Sequence, residues 1–416
     1  MADIKKQIVI LGGSYGGMST AHYVLKHVIP RLPSKADFEV VLVSASAEAM
    51  DRPACPRALI SDEFFDQTKL FVNVAKQFEQ YPAGSFRFIQ GRATALDHRA
   101  RTVTISVTAD KSTQTLTFHA LVIATGASTP SPLLGLNTDS DGLRASWASF
   151  RKQLPSAKSI VIGGGGPSGV EVAGELGEHL NGAACWWKSE LANPAVQITV
   201  VNSASKILPQ LRPAIAHKAE ELLAKRGVRV VNNVAVTEVI EDEKKTTVKL
   251  SDGKTLEADI YIPCAGMSPN TDFVLDKAAL LDEADGRVKT NTSTLRVDAA
   301  GPGARIYAIG DASSYARPAV HNVLSAVPVL GANIRRDLLL AEGKEGTAGG
   351  SAGEEDKIFK EDKTETQLVP IGKSKGVGAA MGYRMPSVVV WAIKGRDYWL
   401  WTVGKLWSGE QWAKEA

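Results

Sequence analysis

The apolar positions along the chain fall into two similar units. Each unit begins with a continuous apolar run, Ile8–Leu11 in the first and Ile160–Ile162 in the second. A glycine-rich turn, a helix-like segment and another strand-like run follow each of them, the last at Val40–Val43 and Ile198–Val201. Continuous apolar runs are typical of strands that are buried on both faces of a parallel sheet. The two units therefore predict two doubly wound α/β domains in one polypeptide.

Alternating apolar residues mark two smaller antiparallel elements. One lies between Arg87 and Ala124 and ends in a buried strand at Leu121–Ile123. The other is a hairpin around Val248–Leu250, and it ends in a strand at Ile260–Ile262. A period of two residues is typical of strands with one buried face.

The end of the chain differs in composition from the two units. Residues 341–365 are rich in Gly, Glu and Lys, which predicts a mobile linker or loop. The alternation of Val389, Trp391, Trp399 and Trp401 then predicts a β-hairpin that packs on the core. The tryptophans also leave open an acceptor pocket or a membrane-interface patch, because Trp favours sites with one apolar and one wet side.

Composition and charge exclude several classes of protein. The chain has 416 residues, of which 44% are hydrophobic and 22% charged, as in ordinary globular proteins. A formal net charge of +3 is too small to indicate a nucleic-acid binder. The cysteines, Cys55, Cys185 and Cys264, form no C-x-x-C pair, so no dithiol centre and no metal site is expected. Without a signal-peptide pattern or a long apolar span, we expect a cytoplasmic protein, with peripheral contact to a membrane left open.

The first glycine-rich turn is similar to the phosphate-binding fingerprint of dinucleotide-binding domains. That fingerprint uses glycine for a sharp turn, for the approach of the pyrophosphate and for close packing of helix on strand. The pyrophosphate then lies at a helix N-terminus, where free N–H groups favour an anion. A serine occupies the second glycine position, and another serine ends the next strand, where an acidic residue would normally bind the adenosine ribose. The candidate residues are Gly12, Gly13, Ser14, Gly16, Gly17 and Ser44.

The second turn matches the fingerprint completely through Gly164, Gly166 and Gly169. The strand after it ends at Asn202, with Lys206 nearby. An acidic residue at the strand end would repel the 2′-phosphate of NADPH, so its absence permits that nucleotide. We therefore expect an NAD(P)H site with a preference for NADPH or with dual use.

Small residues and one carboxylate follow three further buried strands. Such residues allow the chain to pass close to a cofactor, and a carboxylate at the C-terminal edge of a sheet can accept a hydrogen bond from a ribitol hydroxyl of FAD. The candidate residues are Ala124, Thr125, Gly126, Gly266, Gly310 and Asp311.

The order of these motifs resembles that of the two-domain flavoproteins of the pyridine nucleotide–disulfide oxidoreductase-like superfamily. Within it, the stretches Gly12–Ala21, Gly164–Glu175 and Lys394–Asp397 resemble the ferroptosis suppressor and apoptosis-inducing-factor-like proteins, including their fungal relatives. The resemblance implies an FAD-dependent oxidoreductase that takes hydride from NAD(P)H and reduces a quinone-like small molecule.

The resemblance also implies how the chain is divided. The α/β fold would contain two Rossmann-like, three-layer dinucleotide-binding domains and a small C-terminal α+β domain. The FAD domain would be discontinuous, at residues 1–140 and 262–340, with the NAD(P)H domain inserted at 141–261. The linker at 341–365 and the C-terminal domain at 366–416 would follow.

Three catalytic candidates come from the same resemblance. The stretch Arg52–Arg57 resembles a segment of apoptosis-inducing factors that carries a flavin-proximal lysine at the position of Arg57, and Arg52 is a further cofactor-binding candidate. A cation there would stabilise the reduced flavin, although a surface ion pair is an equal alternative for Arg57. Glu171 and Lys394 match the glutamate and lysine that the ferroptosis suppressor family places at the flavin–nicotinamide site. Solvated surface positions are the alternative for both.

Other functions remain compatible with the sequence. Cys55 lies near the position of the redox thiol in single-cysteine peroxide and disulfide reductases, and Arg52 and Arg57 would favour its thiolate. Its flanking prolines favour a structural thiol instead. A redox-tailoring enzyme of specialised metabolism and an NAD(P)H-sensing interaction protein would both use the same cofactors.

Overall fold

A computed structural model describes residues 5–242, 245–343 and 355–415 of the chain. Its strands are β1 (Lys6–Leu11), β2 (Phe38–Ser44), β3 (Glu48–Met50), β4 (Phe71–Asn73), β5 (Phe86–Asp97), β6 (Thr102–Val107), β7 (Thr113–Thr117), β8 (Ala120–Ile123), β9 (Ala127–Ser128), β10 (Ser159–Gly163), β11 (Gln197–Val201), β12 (Val228–Val231), β13 (Val236–Glu241), β14 (Thr246–Leu250), β15 (Thr255–Ala258), β16 (Ile260–Pro263), β17 (Ser268–Pro269), β18 (Ile306–Ala308), β19 (Gln367–Ile371), β20 (Lys375–Ala380) and β21 (Tyr383–Arg384). Its α-helices are α1 (Tyr15–Tyr23), α2 (Cys55–Ala58), α3 (Gln67–Leu70), α4 (Ser140–Gln153), α5 (Pro167–Asn181), α6 (Pro213–Ala224), α7 (Lys277–Leu280), α8 (Val320–Ala341), α9 (Ser387–Val390) and α10 (Leu400–Trp407).

The largest sheet has the strand order β18-β8-β1-β2-β5-β6-β7. The first five strands pair in parallel, and β5, β6 and β7 form the predicted antiparallel element. The short strand β18 pairs with β8 through Ile306 and Leu121, although the strands between them in sequence, β9 to β17, belong to other sheets. The sheet therefore combines strands that precede the second unit in the sequence with a strand that follows it.

The second unit forms a parallel sheet of order β12-β11-β10-β16, with β13, β14 and β15 as an antiparallel sheet beside it. Strand β16 pairs along its length with β10, from Ile160 and Ile260 to Gly163 and Pro263. The expected domain boundary after residue 261 therefore cuts through a strand of this sheet. The boundary belongs after Pro263, because the β16 backbone completes the β10 ladder. The predicted α/β fold class is confirmed by these two parallel sheets.

The C-terminal segment is not the predicted tryptophan hairpin. Strands β19, β20 and β21 form an antiparallel sheet, but Trp391 and its neighbours continue α9 as a π-helical turn over Trp391–Gly395. Tyr398 and Trp399 have φ angles of 53° and 73°, in the left-handed region, and α10 begins directly after them. The hairpin prediction is wrong because this reversal between two helical segments imitates a period of two. Trp407 is buried in α10, whereas Trp401 is exposed.

The predicted mobile linker begins inside α8, which ends at Ala341, and its residues 344–354 lie outside the described residues. The described part after them is anchored to the core. Phe359 is buried, and the Asp356 carboxylate accepts hydrogen bonds of 2.8 Å from Arg296. Residues 355–365 thus form a loop without helix or strand that these contacts hold against the core, and their mobility stays a prediction. No helix within the described residues is both long and apolar enough to cross a membrane.

Candidate active site

The first glycine turn joins β1 to α1 and has the geometry of a phosphate cradle. Gly12 has a φ angle of +119°, and a Cβ atom there would lie 2.1 Å from the carbonyl oxygen of Ala124. A Cβ atom at Gly17 would lie 1.7 Å from the carbonyl oxygen of Gly12. Ser14 precedes α1, but its side chain makes no capping hydrogen bond. The first N–H groups of α1 are thus available to an anion, as the pyrophosphate of FAD requires.

The turn of the second unit has the same construction between β10 and α5. Gly164 has a φ angle of +135°, and a Cβ atom at Gly169 would lie 2.0 Å from the carbonyl oxygen of Gly164. A Cβ atom at Gly166, by contrast, would meet no atom of the described residues within 4 Å, and the same holds at Gly266. Gly166 and Gly266 therefore border open space at the end of the sheet, where the pyrophosphate of a nicotinamide dinucleotide would fit.

In both units, a polar residue at the end of the second strand lies next to the turn. A Cβ atom at Gly13 would lie 2.5 Å from Ser44 Oγ, and one at Gly165 would lie 2.6 Å from Asn202 Cγ. These are the positions from which a side chain reaches an adenosine ribose. The Asn202 amide is fixed in place, because its Nδ2 donates to Ala204 O at 3.0 Å and to Asn232 Oδ1 at 2.7 Å.

Lys206 does not have the free ammonium group that its predicted role requires. Its Nζ donates to the carbonyl oxygens of Leu208, Pro209 and Leu211. A lysine has three N–H donors, and all of them are used within this loop. Lys206 therefore offers no free N–H group to the 2′-phosphate of NADPH, and the predicted tolerance of NADPH rests on the absence of an acidic residue at Asn202.

The remaining FAD candidates lie together at the C-terminal edge of the large sheet. The Thr125 hydroxyl donates to Asn270 O at 2.7 Å, and Gly126 borders open space with a φ angle of +67°. Asp311 follows β18 and Gly310, and its carboxylate lies 3.6 Å from Arg52 Nη1. This single long ion pair leaves carboxylate lone pairs for a ribitol hydroxyl. The residues present thus fit an FAD molecule along this edge.

Glu171 and Lys394, far apart in sequence, meet as a buried ion pair. The distance from Lys394 Nζ to Glu171 Oε1 is 2.6 Å, and Nζ also donates to Leu368 O at 3.2 Å. Burial raises the pKa of Glu171 to about 7, although the Lys394 charge opposes the shift. The Lys394 ammonium lies 5.1 Å from the centroid of the Trp399 ring. The pair joins α5, which starts at the second glycine turn, to the C-terminal segment.

Arg57 has neither of the two environments expected for it, which were a free cation beside the flavin and a surface ion pair. Its guanidinium donates to both carboxylate oxygens of Glu175, at 3.0 and 2.8 Å, and to the carbonyl oxygens of Arg396 and Gly372. Tyr398 Oη donates to the same Glu175 carboxylate at 3.0 Å. Arg57 is buried, so it is not a surface residue. Its charge is also committed to Glu175, so it is not a free cation for the flavin.

Cys55 lacks the properties of a redox thiol. It is buried, and its Sγ donates to Met50 Sδ at 3.9 Å. Burial raises the pKa of the Cys55 thiol well above its usual range, against the opposing effect of Arg52. The sequence-based expectation that neighbouring arginines favour a thiolate is therefore wrong.

Several residues around this junction were not predicted from the sequence. Glu175 lies four positions after Glu171, so helical spacing alone places both on one face of α5. Asp51 lies near this junction, since the Lys394 charge acts on its pKa, and the Tyr15 hydroxyl donates to Asp51 Oδ1. No local pattern marks Asp51, whose neighbours come from distant parts of the chain.

Comparisons with known proteins agree with this geometry. The family model described as pyridine nucleotide-disulphide oxidoreductase matches residues 6–328. Oxidoreductase phnG of Penicillium herquei is 58% identical over 421 residues, covering 99% of this chain and 98% of that protein. Ferroptosis suppressor protein 1 of Mus musculus is 25% identical over 401 residues, covering 94% and 92%. The structure of NDH2 from Plasmodium falciparum in complex with NADH has a similar fold, with a TM-score of 0.67, 15% identity and 99% of each chain covered.

Proposed function

Because the chain belongs to the pyridine nucleotide-disulphide oxidoreductase family, and is an NAD(P)H-dependent flavin oxidoreductase, we propose that its electron acceptor is a quinone-type small molecule. The observation that carries this proposal is the buried contact of 2.6 Å between Lys394 and Glu171. This contact joins α5, the helix that follows the second glycine turn, to the C-terminal segment. The resemblance to the ferroptosis suppressor family supports a quinone as the compound that reaches this junction.

The residues at the junction suit a planar carbonyl compound. When bound, the flavin supplies the redox chemistry, because it accepts hydride from a reduced nicotinamide and passes the electrons on. The Lys394 ammonium would stabilise the negative charge that develops on an acceptor oxygen. Glu171 holds that ammonium in position, and the partly buried Trp399 ring beside it offers an apolar face to a planar ring.

Nucleotide preference and location are part of the same proposal. The absence of an acidic residue at Asn202 permits both nucleotides, but the carbonyl-bound ammonium of Lys206 gives NADPH no added contact. We therefore propose dual use of NADH and NADPH. We also propose a cytoplasmic location with peripheral membrane contact, since a lipophilic quinone would be met at a membrane surface.

Steady-state reduction of a water-soluble quinone by NADH and by NADPH tests the proposal. We expect Lys394→Met to lower kcat by about 10²-fold, the usual effect of removing a group that stabilises developing charge. Lys405→Met, in the exposed part of α10, is the matched control and should retain wild-type turnover. If the wild-type flavin is bleached quickly but no quinone is reduced, the acceptor is a different one, as in the redox-tailoring alternative. If a bound flavin is not bleached, the sensing alternative holds.

A further inference from the structure

Asp51 is a buried carboxylic acid for which the proposed function has no role. It follows β3 directly and has no exposed surface. The Tyr15 hydroxyl donates to its Oδ1, whereas Oδ2 has no hydrogen-bond partner among the described residues. A buried, unpartnered carboxylate oxygen is costly, and the protonated acid is the less costly form. The environment of Asp51 therefore favours an acid that holds a proton.

Charged groups face Asp51 from three parts of the chain. Tyr15 approaches from α1, and Arg52 and Cys55 lie on its own segment. Lys394 and Asp397 approach from the C-terminal segment with opposite charges. Burial, with a smaller effect of the Asp397 charge, raises the pKa of Asp51 to about 7 against the opposing effects of the Tyr15 hydrogen bond and the Lys394 charge. Asp51 is thus able to give up and regain its proton near neutral pH.

The position of the Asp51–Tyr15 pair links it to the redox site. Tyr15 is the first residue of α1, at the turn that would hold the FAD pyrophosphate. Lys394, whose charge acts on Asp51, is the residue that binds Glu171 on the helix of the second glycine turn. The carboxyl group is therefore bonded to the predicted flavin turn through Tyr15 and lies within range of the Lys394 charge.

We propose that Asp51, supported by Tyr15, is the proton donor for reduction of the quinone-type acceptor; this inference rests on the proposed function. The overall reaction converts NAD(P)H, one proton and a quinone into NAD(P)⁺ and a hydroquinone. The hydride supplies both electrons and one hydrogen, so the second hydrogen must arrive as a proton. For this step the acceptor must reach the buried Oδ2 of Asp51, where the O–H bond breaks as an O–H bond forms on the quinone oxygen. The Tyr15 hydroxyl and the Lys394 charge stabilise the carboxylate until solvent returns a proton.

Reoxidation of the reduced, FAD-loaded protein by two different acceptors tests this proposal. A soluble benzoquinone takes up protons with its electrons, whereas ferricyanide takes up electrons alone. We expect Asp51→Asn to slow anaerobic reoxidation by the quinone by about 10²-fold, the usual contribution of a general acid. Reoxidation by ferricyanide should remain close to the wild-type rate. Tyr15→Phe should slow the quinone reaction less, and Asp62→Asn, an exposed acid in the next segment, should change neither rate.

Infrared titration supplies a readout that does not depend on turnover. Asp51 and Glu171 are both buried acids with a pKa near 7, so the wild type should show two carbonyl stretches that disappear with midpoints near 7, and Asp51→Asn should lose one of them. The flavin content of each purified variant shows whether it is folded. If Asp51→Asn loses its flavin, the comparison of quinone with ferricyanide is made with Tyr15→Phe instead. Equal slowing with quinone and ferricyanide, or the retention of both infrared bands in Asp51→Asn, would overturn the proposal. A wild type that ferricyanide reoxidises but quinone does not would overturn the proposed function itself, and the role of Asp51 with it.

Discussion

The ion pair between Arg57 and Glu175 should be a main determinant of stability. It connects α2 to α5 and, through the carbonyl oxygens of Arg396 and Gly372, to the C-terminal segment. Arg57→Met removes two charge-assisted hydrogen bonds of 3.0 and 2.8 Å. Such bonds contribute about 1.5–3 kcal/mol each, and loss of one partner from a buried pair costs about 3–5 kcal/mol. We therefore expect the free energy of unfolding to fall by about 3–5 kcal/mol in Arg57→Met.

Urea unfolding, followed by tryptophan fluorescence, measures this loss. The double variant Arg57→Met/Glu175→Leu should be more stable than Arg57→Met alone, because it leaves no buried carboxylate without a cation. Glu257→Gln, which breaks an exposed ion pair with Lys245, is the control and should have no effect beyond experimental error. A loss below about 1 kcal/mol in Arg57→Met, or strictly additive effects in the double variant, would refute the reasoning.

Four further predictions follow from single positions. Gly169→Ala should disrupt the second unit, because its Cβ would lie 2.0 Å from a carbonyl oxygen. Gly166→Ala, whose Cβ would meet no atom of the described residues within 4 Å, should keep the fold and only weaken NAD(P)H binding. Thermal unfolding and nucleotide titration separate the two variants, and equal effects of both would contradict this expectation. Cys55→Ser should leave quinone turnover intact in a steady-state assay, and loss of all turnover would support the thiol-based alternative. Lys206→Ala should leave the ratio of kcat/KM for NADPH and NADH unchanged, and a selective loss of NADPH use would show that the ammonium binds the 2′-phosphate after all. Burial raises the pKa of Asp51 to about 7, so the folded protein binds a proton there that the unfolded chain releases above its ordinary pKa of 3.8. The resulting stability is complete below about pH 3.8 and is lost as the pH rises to about 7, so Asp51→Asn should gain in Tm relative to wild type across this range and show no further gain above it. A constant difference in Tm would be inconsistent with this titration.

The features that could be predicted from the sequence are those that short stretches of chain determine. The turns at Gly12 and Gly164 require glycine because the backbone within and beside each turn leaves no room for a Cβ atom. The same stretch contains the preceding strand and the following helix, so strand, turn and helix are recognisable together. The antiparallel element of β5, β6 and β7 was predictable for a similar reason, since its alternation is local.

The interactions around the junction depend on residues that are distant in sequence. Lys394 and Glu171 could be paired only through the family resemblance, because no local pattern relates positions 223 residues apart. Nothing near Asp51 in the sequence indicates that Tyr15, Lys394 and Asp397 surround it.

Two errors have equally physical causes. Lys206 resembles a free cation in the sequence, but its own loop presents three carbonyl groups to it. The tryptophan pattern imitates a hairpin, because the left-handed residues Tyr398 and Trp399 reverse the chain between two helical segments.

Anaerobic titration of the purified protein with NADH and with NADPH tests the central claim most directly. The account predicts a yellow protein that contains FAD and whose flavin absorbance is bleached by either nucleotide, in stopped flow, fast enough to support turnover. A colourless protein that cannot be reconstituted with FAD would contradict it, as would a bound flavin that neither nucleotide reduces.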